Sequence, residues 1–255
     1  MDAGIDKDWP AAVEAVNEDG RSDIVLLCEH ASNHMPPEYE RLGLDERHLE
    51  RHIAWDIGAA EVARRLSARL DAPLFLSTYS RLLIDLNRPL GASGSIPVRS
   101  EDTDIPGNAD IDAAEKARRA GRMFTPFHDR VTAFLDSRAA AGRPTRIVTI
   151  HSFTPVFLGK TRPWHAGVLF QNAVGLAEDI LEGLRVDPDL NVAPNQPYVV
   201  SRDSDYAVLI HGDDRGIPAV LIEIRQDLIS DETGIAEWAE RLAAALPARQ
   251  NEELT

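Results

Sequence analysis

The sequence predicts an α/β protein whose mostly parallel sheet is covered by helices on both faces. Short apolar runs rich in β-branched residues alternate along the chain with longer amphipathic stretches. This alternation is typical of strands joined by crossover helices. The chain has 255 residues and shows neither an internal repeat nor a clear linker. We therefore expect a single domain over residues 1–255.

The predicted strands are short apolar runs bounded by polar residues, the pattern of buried strands. "DIVLLC" and "AVLIEI" are the most apolar of them, and "RIVTI" lies between them in the chain. The full set of expected strands covers residues 23–28, 72–78, 81–86, 146–150, 166–171 and 219–224.

The predicted helices show apolar residues at near-helical spacing. They cover residues 44–70 as one or two helices, 111–140, 175–185 and 234–246, with Pro126 expected to kink or interrupt the second region. Residues 1–22 read as a polar lead-in with room for a short helix. Residues 89–110 are rich in Gly, Pro, Ser and Asp, and a loop this long in a compact domain is more often functional than idle.

The composition excludes several classes of function. The formal net charge of −15 argues against binding nucleic acid or an anionic membrane, although local arginines can still attract an anionic substrate. The single cysteine, Cys28, excludes an internal disulfide framework and is expected to be a buried small apolar residue. The acidic N-terminus lacks a signal-peptide pattern, and no apolar stretch approaches about 18 residues. We expect a cytoplasmic protein.

Ionisable residues stand where several apolar runs end. His30 follows "IVLLCE", His151 follows "RIVTI", and Glu223 lies near the end of "AVLIEIRQD". Ligands of open α/β sheets bind beyond the carboxyl ends of the strands, so parallel strands would bring these groups together. A fourth polar group follows "RLLI" and consists of Asp85, Asn87 and Arg88.

Two histidines and a carboxylate at strand ends suit a hydrolytic zinc site, which uses nitrogen and oxygen donors and keeps one position open. Asp56 of "HIAWDIGA" is the leading third ligand, near the start of a helix. His52 would share a helical face with it at i,i+4 if that helix begins early enough. Glu29 and Asn33 are weaker alternatives, and Glu29 should point to the opposite side of its strand from His30.

Simpler interpretations compete with the metal site. A lone histidine is more often packed or solvated than a ligand, and His48 and His128 in helical stretches are expected to be solvated. A carboxylate inside an apolar strand needs a partner, and Arg225 is the alternative, structural partner of Glu223. The chain contains no HExxH, GxSxG, EF-hand or Gly-rich phosphate motif.

Five motifs occur in an order that resembles the N-formylglutamate amidohydrolase family. The resemblance covers residues 23–230, and "YSRLLIDLNRP" is its most specific part. It implies a three-layer α/β/α domain with a central mixed sheet, similar to zinc carboxypeptidases and aspartoacylase. The motifs are "CEHASNHMP", "HIAWDIGA", "YSRLLIDLNRP", "IHSF" and "IEIRQDL".

The resemblance also implies roles for individual residues. His30 and His151 become metal ligands with Asp56 as the third, and Glu223 becomes the general base. One departure stands out, because the carboxypeptidase relatives carry an HxxE pair where this chain has Asn33 after His30. The residues expected to hold substrate carboxylates or the reacting carbonyl are Arg81, Asn87 and Arg88, with His211 and Arg225 as secondary candidates.

The expected activity is metal-dependent hydrolysis of N-formyl-L-glutamate to formate and L-glutamate, with one divalent ion, zinc, as cofactor. The alternatives are hydrolysis of another N-acyl amino acid or small peptide, and a metal-free binding or regulatory protein on the same fold. The expected partner is a small anionic substrate, with no nucleic acid and no membrane, in a monomer or small homo-oligomer.

Overall fold

A computed structural model describes residues 9–246. Its main sheet has seven strands in the order β1-β3-β2-β6-β11-β9-β10. Adjacent strands run parallel except for two antiparallel pairs, β1 with β3 and β11 with β9. The seven strands are β1 (Val13–Val16), β2 (Ile24–Cys28), β3 (Leu74–Ser77), β6 (Arg146–Phe153), β9 (Ala166–Leu169), β10 (Val192–Pro194) and β11 (Ala219–Arg225).

Two small hairpins lie outside this sheet. Their strands are β4 (Arg99–Ser100) with β5 (Thr103–Asp104), and β7 (Val156–Phe157) with β8 (Lys160–Thr161). The first hairpin belongs to the long loop 89–110, and the second follows β6 directly.

Within the described residues 9–246, six α-helices accompany the strands. A π-helical turn, Ala120–Phe124, separates α3 from α4, and Pro126 lies in the first turn of α4. The predicted interruption near Pro126 is therefore confirmed. The helices are α1 (Glu46–Leu49), α2 (Ala59–Leu70), α3 (Ala113–Arg119), α4 (Thr125–Ala140), α5 (Val174–Leu184) and α6 (Glu232–Ala245).

Strand side chains alternate between the two faces of the sheet, and helices cover both faces. Ile24, Leu26 and Cys28 enter one apolar cluster with α2, α5 and α6, and all three are fully buried. Val25 and Leu27 enter the opposite cluster with α4. The predicted mixed, mostly parallel sheet between two helical layers is confirmed, and so is the burial of Cys28.

Two predictions about strands are wrong. The polar lead-in 1–22 contains β1, an edge strand paired antiparallel with β3 from Val13 to Val16; its first eight residues lie outside the described part of the chain. The run 81–86 forms turns and irregular backbone. Its apolar side chains Leu82, Leu83 and Ile84 are nevertheless buried in the second cluster.

Within residues 9–246, no helix combines the length and the apolar composition that crossing a membrane requires.

Candidate functional site

The predicted residues meet at the carboxyl ends of three adjacent parallel strands, β2, β6 and β11. His30 follows the end of β2, and His151 lies near the end of β6. Glu223 of β11 is the direct register partner of His151. All three side chains are buried. The sheet topology thus brings together residues that lie far apart in the chain.

His30, Asp56 and His151 form a compact cluster of possible metal ligands. One donor atom from each residue lies within 4.8 Å of the others. Asp56 Oδ2 is 3.3 Å from His30 Nδ1 and 2.8 Å from His151 Nδ1. The two imidazole rings meet edge to face, with centroids 4.7 Å apart. Both Nδ1 atoms therefore converge on one carboxylate oxygen.

The opposite ring nitrogens of the two histidines contact two further carboxylates. His30 Nε2 lies 2.7 Å from Asp85 Oδ1, and His151 Nε2 lies 2.9 Å from Glu29 Oε2. A carboxylate at the Nε2 side of each ring holds the orientation of that ring. With a cation bound, each Nε2 would donate to its carboxylate and each Nδ1 would be the ligand atom.

These contacts bear on the alternative third ligands. Glu29 is engaged through Oε2 with the far side of His151, although its Oε1 has no hydrogen-bond partner. Asn33 is turned away from the cluster, because its Nδ2 donates to the carbonyl of Leu49 at 2.8 Å. Asp56 is the carboxylate that faces both Nδ1 atoms.

Asp56 is held by backbone contacts at the entrance to α2. Its N–H donates to the His30 carbonyl, and its Oδ2 accepts from the Ser152 N–H at 3.2 Å. Gly58 has a φ of +77°, and a Cβ there would lie 2.1 Å from the Ile229 carbonyl oxygen. This position of "WDIGA" therefore requires glycine.

His52 and Asp56 do not share a helical face, because the helix does not begin early enough. α2 begins only at Ala59, and the segment that carries both residues forms turns. His52 Nδ1 still lies 3.6 Å from Asp56 Oδ1.

The charges of the cluster support one another. Burial alone would lower the pKa of His151, but hydrogen bonds to Asp56 and Glu29 raise it well above its ordinary value. Burial opposes ionisation of Asp56, yet the charge of His30 and the hydrogen bonds from both histidines hold the pKa of its carboxyl well below its usual range. The Asp56 carboxylate is thus ionised and could serve as a negatively charged metal ligand.

Glu223 differs from the other carboxylates of the site. Burial raises its pKa to about 8, with Asp56 adding to the effect and His151, Arg81 and Arg162 opposing it. Its Oε2 atom has no hydrogen-bond partner. The structural alternative for this residue is wrong, because Arg225 binds Asp227 with Nε–Oδ1 at 2.7 Å.

A cavity of about 550 Å³ opens over the cluster. Its floor includes His30, Asp56, His151 and Glu223. The long loop 89–110 contributes part of the wall, as do exposed segments around Phe157 and Tyr198. The wall residues from the long loop are Ser93, Gly94, Pro97, Arg99, Ser100 and Glu101.

Arg81, Asn87 and Arg88 all line the cavity, but much of their bonding capacity is already used. Arg81 binds Asp56 and Asp85 at 3.2 and 2.7 Å. Asn87 Oδ1 accepts from the backbone N–H groups of residues 206 and 207. Arg88 Nε lies 3.8 Å from Asp85 Oδ2, and its guanidinium also donates to the Ser204 carbonyl.

Two secondary candidates do not reach the cavity wall. His211 is buried against His128, with Nε2 2.9 Å from His128 Nδ1. Arg225 points to Asp227 instead. The expectation that His128 is solvated is also wrong, since its side chain is buried and its Nε2 donates to the Leu86 carbonyl.

Sequence reasoning placed Asp85 in a polar group but gave it no individual role, and it did not single out Arg162 or Tyr198. Asp85 had a signal, because it interrupts the apolar run "RLLIDL". Arg162 and Tyr198 lie in irregular segments and show no pattern that separates them from surface residues.

The cluster fits a divalent cation, and zinc in particular. It offers two imidazole nitrogens and one ionised carboxylate, which is the donor set of many catalytic zinc sites. Each histidine is backed by a carboxylate at its other nitrogen, as metal-binding histidines commonly are. The residues that would hold the ion are buried but face an open cavity.

Comparisons with known proteins bear on the fold and the family of this chain. A solved structure of a gene product from Agrobacterium tumefaciens shares 42% sequence identity over 92% of this chain and 93% of its own, with a TM-score of 0.89. An N-formylglutamate amidohydrolase from Ralstonia eutropha shares 17% identity over 92% of this chain and 96% of its own, with a TM-score of 0.66, which supports the fold alone.

No curated protein matches the chain significantly. The sequence profile of N-formylglutamate amidohydrolases, however, matches residues 22–230, which is most of the chain. This chain therefore belongs to the N-formylglutamate amidohydrolase family and is a hydrolase that acts on amide bonds.

Proposed function

We propose that this hydrolase cleaves N-formyl-L-glutamate to formate and L-glutamate, and that His30, Asp56 and His151 hold a zinc ion for the reaction. The observation that carries the proposal is the convergence of their three donor atoms within 4.8 Å at the floor of a cavity. The neighbouring Glu223 supplies the proton-transfer group that hydrolysis needs. Family membership supports the reaction class.

Zinc accepts the nitrogen and oxygen donors of this set, and three protein ligands leave a coordination position open. When bound, the ion polarises the amide carbonyl and brings the pKa of a water toward about 7.

Glu223 acts as the general base and then as the general acid. Its unpartnered Oε2 takes a proton from the attacking water and later delivers one to the leaving nitrogen. A carboxyl group whose pKa lies near the working pH exchanges protons in both directions. Burial places Glu223 in this range by raising its pKa to about 8.

The arginines of the cavity have different tasks. Arg81 bridges Asp56 and Asp85 and so orients the carboxylates around the two histidines. Arg88 is 3.8 Å from its nearest carboxylate, so its guanidinium is freer to stabilise the developing oxyanion. Asn87 fixes the backbone at residues 206 and 207 and thereby shapes the cavity wall.

A substrate screen combined with metal analysis tests the proposal. Purified protein is assayed against N-formyl, N-acetyl and N-succinyl derivatives of glutamate and of uncharged amino acids, before and after chelation. We expect the highest kcat/KM for N-formyl-L-glutamate, loss of activity on chelation and its return with zinc. A preference for another acyl group would show that the substrate is a different N-acyl amino acid. Ligand binding with no metal and no turnover would indicate a binding protein.

A further inference from the structure

Arg162 is a buried arginine with an unusual lack of charged partners. Its relative exposure is 8%, and its guanidinium reaches the Thr154 hydroxyl at 3.4 Å. In the described residues 9–246, no carboxylate oxygen lies within 4.0 Å of it. Burying a guanidinium without an opposing charge is costly, so such a residue commonly serves a ligand.

The hairpin of β7 and β8 leads directly into Arg162, whose guanidinium lies behind two residues of the cavity wall, Phe157 and Tyr198. It closes through Leu158 and Gly159, which both have positive φ, as the tight turns of two-residue hairpins require. At its base the Arg162 N–H donates to the Pro155 carbonyl at 2.8 Å. In the chain, the hairpin follows the strand that carries His151.

Two aromatic rings fix the plane of the guanidinium. Its central carbon lies 4.5 Å from the ring centre of Phe157 and 4.8 Å from that of Tyr198. Both rings line the cavity. Stacking on aromatic faces leaves the edge of an arginine, with its N–H groups, available to a planar anion.

The other arginines near the cavity have carboxylate neighbours. Arg81 binds Asp56 and Asp85, and Arg88 lies 3.8 Å from Asp85. Arg99 pairs with Asp104. An anionic substrate in a chain with a net charge of −15 needs a cation whose charge is not already balanced.

We propose that Arg162 binds a carboxylate of the substrate and determines the preference for dicarboxylic N-acyl amino acids. The inference rests on the proposed function for the identity of the substrate, but the recognition of a carboxylate rests on the arginine itself. The guanidinium forms two parallel hydrogen bonds to the carboxylate, a geometry that lysine cannot reproduce.

Equilibrium binding tests this role apart from catalysis. Calorimetry compares glutarate, which keeps both carboxylates of glutamate, with its monoamide glutaramate. The proteins are the wild type, Arg162→Met, Arg162→Lys and Lys160→Met, which removes an exposed charge from the same hairpin. Circular dichroism and metal content establish that each variant is folded and equally loaded.

We expect Arg162→Met to weaken glutarate binding by roughly 10- to 100-fold, the usual effect of losing a charge-assisted hydrogen bond. The preference for glutarate over glutaramate should disappear in this variant. Arg162→Lys should bind with intermediate affinity, and Lys160→Met should match the wild type. If Arg162→Met does not fold, a loss of preference in Arg162→Lys still supports the assignment.

Unchanged glutarate binding in the variants, or no preference for glutarate in the wild type, would overturn the assignment. Kinetics with N-formyl-L-glutamate distinguish this failure from that of the proposed function. If the wild type does not hydrolyse that compound but Arg162→Met loses glutarate, the substrate is wrong and the carboxylate site stands.

Discussion

Glu223 and His151 lie directly opposite each other on adjacent parallel strands, and both side chains are buried. One is the proposed proton-transfer group and the other a proposed metal ligand. The pairing means that two functions are separated by a single step across the sheet. A substitution of Glu223 should therefore impair catalysis, and a substitution of His151 should impair metal binding.

Glu223→Gln should abolish most turnover while leaving metal binding intact. Glutamine keeps the shape of the side chain but accepts no proton, and general acid–base groups commonly contribute about 10²- to 10⁴-fold to rate. The measurements are kcat and metal content by elemental analysis. Glu178→Gln on the exposed face of α5 is the matched control. Near-normal activity in Glu223→Gln would refute the base assignment.

Asp56→Ala should lose the bound metal. Its Oδ2 faces both histidine Nδ1 atoms, whereas the Asn33 amide is bonded to the backbone of residue 49. Asn33→Ala is therefore the control and should retain a full complement of metal. The measurement is metal stoichiometry after dialysis. A fully loaded Asp56→Ala protein would show that another residue completes the ligand set.

Asp85→Asn and Glu29→Gln should weaken metal binding without abolishing it. Each carboxylate holds the Nε2 side of one histidine, at 2.7 and 2.9 Å. Loss of such a contact commonly costs about 10- to 100-fold in metal affinity. Competition with a chelator measures the change. Asp136→Asn, which removes an exposed partner of Arg215, should leave the affinity unaltered. Equal affinities in all three variants would contradict the assignment.

The stability of the protein should decrease in mild acid because of His128. Burial, together with the charge of His211, lowers the pKa of His128 to about 3 in the folded chain, whereas an unfolded histidine has a pKa of about 6.5. As the pH falls below about 6.5, this histidine becomes protonated in the unfolded chain but stays neutral in the folded chain. The free energy of unfolding therefore decreases.

His128→Gln removes this difference in protonation between the folded and unfolded chains. The slope of unfolding free energy against pH between about 4.5 and 6 should become shallower by up to about 1.4 kcal/mol per pH unit. Urea denaturation at several pH values measures both slopes. Parallel slopes for the wild type and His128→Gln would show that the histidine is not neutral in the folded protein.

The sequence predicted the central strands well because each is built around a short run of mostly apolar, β-branched residues. β2, β6 and β11 are buried on both faces, and continuous apolar runs are typical of that environment. β1 escaped detection because an edge strand with partly exposed residues lacks this pattern. The candidate ligands His30 and His151 followed from their places at strand ends and from the family motifs. The structure brings both of them together with Asp56.

The run 81–86 shows why apolar composition alone did not give the backbone. Three of its carbonyl groups accept hydrogen bonds from side chains and not from a neighbouring strand. Asn108 Nδ2 donates to the Leu82 carbonyl, Arg119 to that of residue 83, and His128 to that of residue 86. These partners lie in distant parts of the chain, so no local pattern reveals them. The position of Arg162 depends in the same way on tertiary contacts.

These three hydrogen bonds also matter for engineering. The segment that carries Asp85 keeps its course only while Asn108, Arg119 and His128 remain in place. Transplanting "RLLIDLNR" into another scaffold without these three side chains would leave the carbonyl groups of residues 82, 83 and 86 without hydrogen-bond donors. A designer who alters this pocket must therefore move a loop and three remote side chains as one unit.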